Sequence, residues 1–247
     1  MAYGMYISAE GALAQTVRLE TISNNLANAD TVGFKRDLAQ FQARYSEAVV
    51  YGWVPPDGGT VSTVFRGVQV LQTITDYSPG PMKNTGLPTD MAIRGRGFFV
   101  VDRHGEQMLT RSGNFQLTPQ GLLTTTEGYP VMSETGTPIV LTGPFQAGED
   151  GSIASPDGLQ RFALVEPESL GDLAKAGENL WQPLAPVRPL DPAARGVAQG
   201  FLEGSGTNAV REMVDMIETS RAYEANVNMI RNHDQMFGTL ISRVLKV

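Results

Sequence analysis

The sequence ISNNLANADTVGFK, residues 22–35, decides the fold because the helical pattern of the N-terminus ends in it and a different sequence pattern follows. Upstream, residues 3–28 carry apolar or small side chains at alternating spacings of four and three, which places one stripe along a helix. Asn28, Asp30 and Gly33 favour a turn, because these residue types tolerate the positive φ that ends helices. We therefore predict an N-terminal amphipathic helix followed by a turn.

A second helical pattern occupies residues 207–247. Its apolar side chains keep close to a 3–4 alternation from Val210 to Val244, and Asn208 or Thr207 could cap its start. Such a helix would be roughly 55 Å long, more than a compact domain needs. An amphipathic helix is stabilised mainly by packing, so the simplest partner is the N-terminal helix. A closed hairpin within one chain and packing between subunits both remain open, and two heptad-like stripes at the chain ends favour the latter.

The middle of the chain, from about residue 60 to 196, has short apolar segments separated by Gly, Pro, Asn and Asp. The segment Trp181–Pro192 contains prolines that exclude a helix interior, so it is predicted to be an edge segment or a return towards the termini. Five segments have the length and spacing of strands in an all-β domain: residues 68–71, 91–93, 97–101, 115–117 and 139–141.

The predicted fold class is therefore α+β, with N- and C-terminal helices pairing as a coiled-coil layer and a mainly β central domain. The terminal helical domain is expected at residues 1–30 and 207–247. A connecting region is expected at 31–75 and 196–206, and the β-rich outer domain at 76–195.

Composition excludes several function classes. The net charge of -7 disfavours nucleic-acid binding, and the absence of cysteine excludes disulfides, thiolate metal sites and cysteine nucleophiles. No window approaches the ~20 apolar residues of a membrane span. The first lysine or arginine is Arg18, so we expect no conventional cleaved secretory signal and a different route if the protein is exported.

No enzyme motif emerges from the sequence. His104 and His233 are the only histidines, and nothing in the sequence brings them together at a metal. Gly95 and Gly97 resemble part of a dinucleotide-binding loop, but position 100 is Val and no helical pattern follows. We therefore expect no catalytic residues, no cofactor and no metal.

The stretch 22–35 resembles the N-terminal signature of the flagellar rod and hook protein family, approximately NNLAN, two variable residues, T, a variable residue and GFK. Residues 90–101 resemble the family's D-A-I-G-GFF-V strand, and residues 199–226 its C-terminal motifs. After the QG-L motif the spacing at 203–210 departs from the family, which affects the predicted helix boundary. The signature positions filled here are Asn24, Asn25, Asn28, Thr31, Gly33, Phe34 and Lys35.

The resemblance implies a structural subunit of the flagellar rod, part of the drive shaft for motility, that crosses the periplasm and packs against other rod proteins and copies of itself. It also implies delivery by the flagellar type III export apparatus, with chain ends that are disordered before assembly. Chain length and the start Tyr3–Tyr6 resemble the proximal-rod, F-type member more than the hook protein, with the distal-rod member second.

Two sets of residues are predicted to act in assembly. Asn24, Asn25, Gly33 and Phe34 would set the bend out of the first helix. The residues expected to form the helical interface are Leu19, Ile22, Leu26, Met213, Ile217, Val227, Ile230 and Phe237.

The alternative to a rod subunit, from a different functional class, is a β-rich adhesin or binding module. The lack of a secretion signal disfavours this alternative.

Overall fold

The computed structural model describes residues 2–45, 49, 51–53, 55, 65–156, 158–191 and 194–244. The fold is α+β, as predicted, with one long helix at each end of the chain and β-structure between them. The Pro, Asp and Gly residues at 55–59 predict a loop, and this segment lies outside the described residues except for residue 55.

The chain forms two compact units. The helical unit contains residues 1–27, 37–76 and 208–247, and the β unit contains residues 28–36 and 77–207. The expected connecting region is divided between these units: residues 37–75 belong to the helical unit, whereas 31–36 and 196–206 belong to the β unit.

The helical unit consists of α1 (Ala2–Ala27), β1 (Asp37–Tyr45), β2 (Phe65–Thr75) and α2 (Ala209–Val244). Helix α1 contacts α2 and both strands. The strands form an antiparallel pair from Asp37 opposite Thr75 to Tyr45 opposite Phe65, with two register shifts. The Asn208 side chain accepts the N–H of Arg211 at 3.1 Å, which confirms the predicted cap of α2.

The β unit contains many short antiparallel strands because glycine turns interrupt the chain every few residues. A 3₁₀ turn at Leu170–Asp172 precedes one of its hairpins. The strands are β3 (Met82–Asn84), β4 (Met91–Ile93), β5 (Phe98–Arg103), β6 (Glu106–Thr110), β7 (Gln116–Leu117), β8 (Leu123–Thr124), β9 (Gln146–Ala147), β10 (Ser152–Ser155), β11 (Gly158–Arg161), β12 (Leu164–Pro167), β13 (Leu173–Gly177), β14 (Leu180–Pro183), β15 (Val187–Pro189), β16 (Val197–Gln199) and β17 (Phe201–Glu203).

A six-stranded sheet organises the β unit, in the order β13-β14-β6-β5-β12-β15. Smaller sheets join β11-β10-β9, β16-β4, β17-β3 and β7-β8. The apolar run of β5 is buried on both faces: Phe99 and Val101 belong to one apolar cluster, and Phe98 and Val100 to a second. This two-sided burial explains why the strand is continuously apolar and does not alternate with polar residues.

The predicted strands are observed with one exception. Residues 68–71 lie in β2, 91–93 form β4, and the other two segments overlap β5 and β7. Residues 139–141 instead make isolated contacts, with Val140 bridging Leu122. They lie between glycine turns at Gly136 and Gly143, both with positive φ, so the extended segment is too short for a ladder. In the proline-rich segment, β15 is the edge strand that was expected.

Candidate assembly site

The two helices pack through small and polar side chains. A Cβ built on Gly4 would lie 2.9 Å from Nε2 of His233, and one on Gly11 would lie 3.0 Å from Oδ1 of Asn226. From the first contact to the second, the residue number rises from 4 to 11 on α1 and falls from 233 to 226 on α2. The two helices therefore run antiparallel, with both glycines facing the partner helix. Glycine lets the helices approach closely at these points.

This small and polar surface repeats every seven residues. On α2 it continues from His233 and Asn226 to Thr219 and Glu212, both of which are buried. The same register places Asn25 of α1 level with Glu212, and Asn25 is also buried. We call this surface the polar seam: Gly4, Gly11 and Asn25 on α1, and Glu212, Thr219, Asn226 and His233 on α2.

The apolar side chains of α2 largely lie away from the polar seam. Their exposure is high for apolar groups: Ile217 is 54% exposed and Val210 is 72% exposed. We call those at the start of α2 the outer apolar face of α2. Val210, Met213, Val214 and Ile217 lie on one side of α2, because they follow the i, i+3, i+4, i+7 spacing, and exposed apolar surface of this kind is typical of a protein interface. The face consists of Val210, Met213, Val214 and Ile217, and further exposed apolar side chains of α2 are Tyr223, Met229, Met236, Leu240 and Ile241.

The residues predicted for the helical interface occupy different environments. Ile22 is buried inside the chain, whereas Met213 and Ile217 belong to the outer apolar face of α2. Val214 and Met229 are not among the predicted residues, because the prediction followed a single 3–4 stripe and the exposed apolar side chains of α2 cover more of its surface. The remaining predicted residues are partly buried: Leu19, Leu26, Val227, Ile230 and Phe237.

The first half of the signature motif ends α1. Asn25 is only 1% exposed, and its side chain both donates to the Asp37 carbonyl and accepts the Asp37 N–H, each at 2.8 Å. The amide side chain of Asn25 thus satisfies both backbone hydrogen-bonding groups of Asp37, the first residue of β1, as a neighbouring strand would do. Asn24 is exposed on the same turn of the helix.

The second half of the motif is a turn held in the β unit. The Thr31 hydroxyl donates to Oδ1 of Asn28 at 3.1 Å, and the Phe34 N–H donates to the Thr31 carbonyl at 3.3 Å. Gly33 has a φ of +68°, and a Cβ there would lie 2.6 Å from the carbonyl carbon of Arg111. Glycine is therefore required twice at this position, by the backbone angle and by the close approach.

The motif ends in a buried charge cluster. Nζ of Lys35 lies 2.6 Å from Oε1 of Glu203 and donates to the Ser78 carbonyl at 2.8 Å. Nη1 of Arg111 lies 3.3 Å from Oε2 of Glu203. Both side chains of the Lys35–Glu203 pair are 1% exposed, so one carboxylate is shared by two buried cations.

The pKa of Arg111 reflects this environment. Burial lowers the pKa of its guanidinium, and the charge of Glu203 and its hydrogen bond offset part of that effect. Two further acceptors are backbone carbonyls, since Arg111 also donates to Ile93 at 3.3 Å and Gly95 at 2.7 Å. Removing the Glu203 carboxylate would leave both cations buried without their counter-charge.

Two residues outside the motif hold the turn, and no sequence pattern points to either of them. Nζ of Lys175 donates to the Lys35 carbonyl at 2.9 Å and lies 4.8 Å from the centre of the Phe34 ring. Nδ2 of Asn179 donates to the Val32 carbonyl at 2.6 Å. Both belong to the β13–β14 hairpin, far along the chain from the motif.

Other kinds of site have little support in the described residues. No group of three or more His, Asp or Glu side chains among them could hold a metal ion. Within the same part of the chain, no helix is both long and apolar enough to cross a membrane. His104 lies in a turn with its ring against Tyr129, and His233 faces Gly4 in the polar seam.

Three family sequence models match the chain. The one described as Flagella basal body rod protein matches residues 5–35. That described as Flagellar hook protein FlgE/F/G D1 domain matches residues 92–163. The model described as Flagellar basal body rod FlgEFG protein C-terminal matches residues 198–243. The matches thus include the signature motif, the Arg111 region and the segment from Glu203 into α2.

Individual proteins match along nearly their whole length. The flagellar basal-body rod protein FlgF of Caulobacter vibrioides is 31% identical over 252 residues, covering 100% of both chains. FlgG of Buchnera aphidicola subsp. Schizaphis graminum is 34% identical, covering 97% of this chain and 99% of its own. FlgF of Rhizobium meliloti is 34% identical over 95% of this chain and 94% of its own.

Proposed function

The chain belongs to the family of flagellar basal-body rod proteins and is a structural subunit of the rod; we propose that it forms the proximal rod and polymerises through α1 and α2. The FlgF of Caulobacter vibrioides covers the chain completely, which favours the proximal position. Matches of the FlgG type cover almost as much, so the distal rod is the second candidate.

The observation that carries the polymerisation proposal is the distribution of apolar side chains in the helical unit. Among its described residues, the buried apolar side chains are Ala12, Ala14 and Ile22, two of which are alanines. Over the same helices, large apolar residues such as Leu13 and Ile217 are more than half exposed. Covering this surface with helices from other subunits would supply the missing hydrophobic burial.

The partners proposed are copies of this chain and other rod proteins. We also propose delivery by the flagellar type III export apparatus and a place in the part of the rod that crosses the periplasm. The rod subunit would act without catalysis and without a cofactor, because its task is mechanical. The adhesin alternative gains no support from the matches, all of which name rod or hook proteins.

An Ile217→Asp variant tests polymerisation through the outer apolar face. Ile217 is 54% exposed in the single chain, so the substitution should leave the fold intact. In a packed interface it would lose a large apolar contact, worth about 2 to 5 kcal/mol, and bury a charge. We expect missing or truncated rods by electron microscopy of basal bodies and loss of swimming, as in a strain that lacks the gene.

Gln107→Asp is the control, because it adds the same charge at an exposed polar position outside the helical unit. It should leave rods and swimming intact. Normal rods in the Ile217→Asp strain would reject the outer apolar face as the interface. Normal rods in the deletion strain would reject an essential role for this subunit in the rod.

A further inference from the structure

Helix α2 extends beyond the described start of the helix that it pairs with. Gly4 lies level with His233, so Ala2, where α1 begins, lies level with Gln235. Helix α2 continues to Val244, and its residues 236–244 therefore lie past the start of α1. They amount to about 14 Å of helix at 1.5 Å per residue. We call residues 236–244 the α2 overhang.

The α2 overhang presents apolar side chains on the side where α1 packs further along. Leu240 follows His233 by seven residues and so occupies the next position of the polar seam, yet Leu240 is 48% exposed, whereas Thr219 in the seam is 1% exposed. Met236 lies one turn before Leu240 on the same side and is 49% exposed. The seam thus continues as an uncovered apolar face. Among the described residues, this face lines a hollow of about 180 Å³ through Met236, Phe237, Thr239, Leu240 and Arg243.

A matching apolar surface lies on α1. Tyr6 is 66% exposed and Leu13 is 68% exposed. They follow Gly4 and Gly11 by two residues each, about 200° round the helix, so they face away from the paired α2. We call Tyr6 and Leu13 the outer stripe of α1. Their seven-residue spacing spans about 10 Å, which fits within the length of the α2 overhang.

A single chain cannot bring these two surfaces together. In the register of the paired helices, Leu13 lies level with Glu224, which is about 24 Å along the helix axis from Leu240. The outer stripe also faces the opposite way from its own α2. The surface that covers the α2 overhang must therefore come from another molecule.

We propose that the α2 overhang of one copy of this chain docks antiparallel against the outer stripe of α1 in the next copy. The proposal rests on the proposed function, since copies repeated with one polarity along a rod present α1 antiparallel to α2, as within one chain. A second copy is the partner because it carries an uncovered apolar stripe with the same heptad spacing.

The geometry of this contact suits a rod. It joins two different surfaces of identical chains and is therefore heterologous, and repeated heterologous contacts build an open filament when they do not close into a ring. The outer apolar face lies at the other end of α2, so it remains free for a different neighbour.

Disulfide trapping in rods tests this contact. The chain contains no cysteine, so the introduced thiols are the only ones in it. Two differently tagged full chains are produced together, one with Leu13→Cys and the other with Leu240→Cys, and isolated basal bodies are oxidised with copper phenanthroline. Ser242→Cys in place of Leu240→Cys is the control, since Ser242 is also exposed but lies about 200° round the helix from Leu240.

We expect Leu13→Cys with Leu240→Cys to give a covalent dimer that carries both tags. It should be at least about tenfold more abundant than the dimer formed with Ser242→Cys, because docking raises the effective concentration of the two thiols. Normal rods with equal amounts of dimer in both combinations would overturn the docking. That result would leave the proposed function intact, since the proposed function is read from the presence of rods.

If a cysteine variant prevents rod assembly, a charge pair decides the question. Leu13→Glu and Leu240→Lys should each reduce swimming, because each places an unpaired charge in the contact. A chain with both substitutions should swim several-fold better than either single variant, since the opposite charges then meet between copies. Leu13→Glu with Ser242→Lys is the control and should show no recovery. Normal swimming of both single variants, or no recovery in the Leu13→Glu and Leu240→Lys chain, would overturn the proposal.

Discussion

Gly33 adopts a φ of +68° and approaches the backbone of Arg111, whereas Gly86 adopts a nearly identical φ of +69° with nothing within 4 Å of a built Cβ. Gly86→Ala should therefore cost only the left-handed backbone penalty, about 1 to 2 kcal/mol. Gly33→Ala should cost that penalty and also displace the Arg111 backbone. We expect a loss at least 1 kcal/mol greater than for Gly86→Ala, within the usual range for strained positions.

Urea unfolding followed by Trp181 fluorescence measures both free energies of unfolding, since both glycines and Trp181 lie in the β unit. Because both variants carry the same backbone penalty, the difference between their free energies of unfolding reports only the close approach of residue 33 to the Arg111 backbone. Equal losses in the free energy of unfolding for the two variants would contradict a packing role for Gly33. The motif would then require glycine at this position only for the geometry of the turn.

At this same scale, the limits of sequence reasoning are visible in Lys35. The motif identified the residue, and Gly33 was correctly expected to permit a turn. The partner Glu203 lies 168 residues further on, and one sequence carries no signal that joins the two. Asn179 and Lys175 could not be identified either, because their hydrogen bonds are to backbone carbonyls of the motif, which any residue provides.

At the scale of elements, the polar seam predicts that one Gly→Ala substitution in a helix does not give the stabilisation that this change normally brings. Gly→Ala in a helix interior normally stabilises by about 1 kcal/mol, and Gly238→Ala in α2 should do so, because nothing lies within 4 Å of its Cβ position. Gly11→Ala should give no such gain and should weaken pairing, since its Cβ would lie 3.0 Å from Oδ1 of Asn226. Adding Asn226→Ala should restore pairing by returning the lost space.

Helical ellipticity of the purified chain, together with the double-mutant cycle of Gly11→Ala and Asn226→Ala, measures this coupling. We expect the double variant to be more helical than Gly11→Ala alone. A Gly11→Ala chain as strongly stabilised as Gly238→Ala would show that the helices do not approach closely at this point.

The helices themselves were predictable, and their mutual packing was not. The 3–4 periodicity correctly located α1 and α2, and Asn208 correctly marked the start of α2. Hydrophobic periodicity left open whether the apolar stripes pack within the chain or between subunits, and Met213 and Ile217 are exposed in the single chain. Seam residues such as Gly11 and Thr219 are not apolar, so a search for apolar stripes passes over them.

At the scale of the whole molecule, the two units differ in how much apolar surface they bury. The β unit has two clusters of large buried side chains, including Phe99, Phe162 and Trp181. The described part of the helical unit buries Ala12, Ala14 and Ile22. Ordering a residue costs about 1 to 2 kcal/mol of conformational entropy, and small buried side chains offset little of it. The helical unit should therefore be the less stable of the two in an isolated chain.

Hydrogen exchange with mass spectrometry tests this difference on the purified chain. Amides of residues 1–30 and 207–247 should exchange quickly, because the helices open locally at little cost, whereas those of β5 and β6 should exchange at the rate of global unfolding. In rods, the same helical amides should become protected, since neighbouring subunits would cover the outer apolar face. Full protection of both helices in the free chain would mean that the polar seam alone stabilises them, and the apolar residues on α2 would then need a different explanation from assembly.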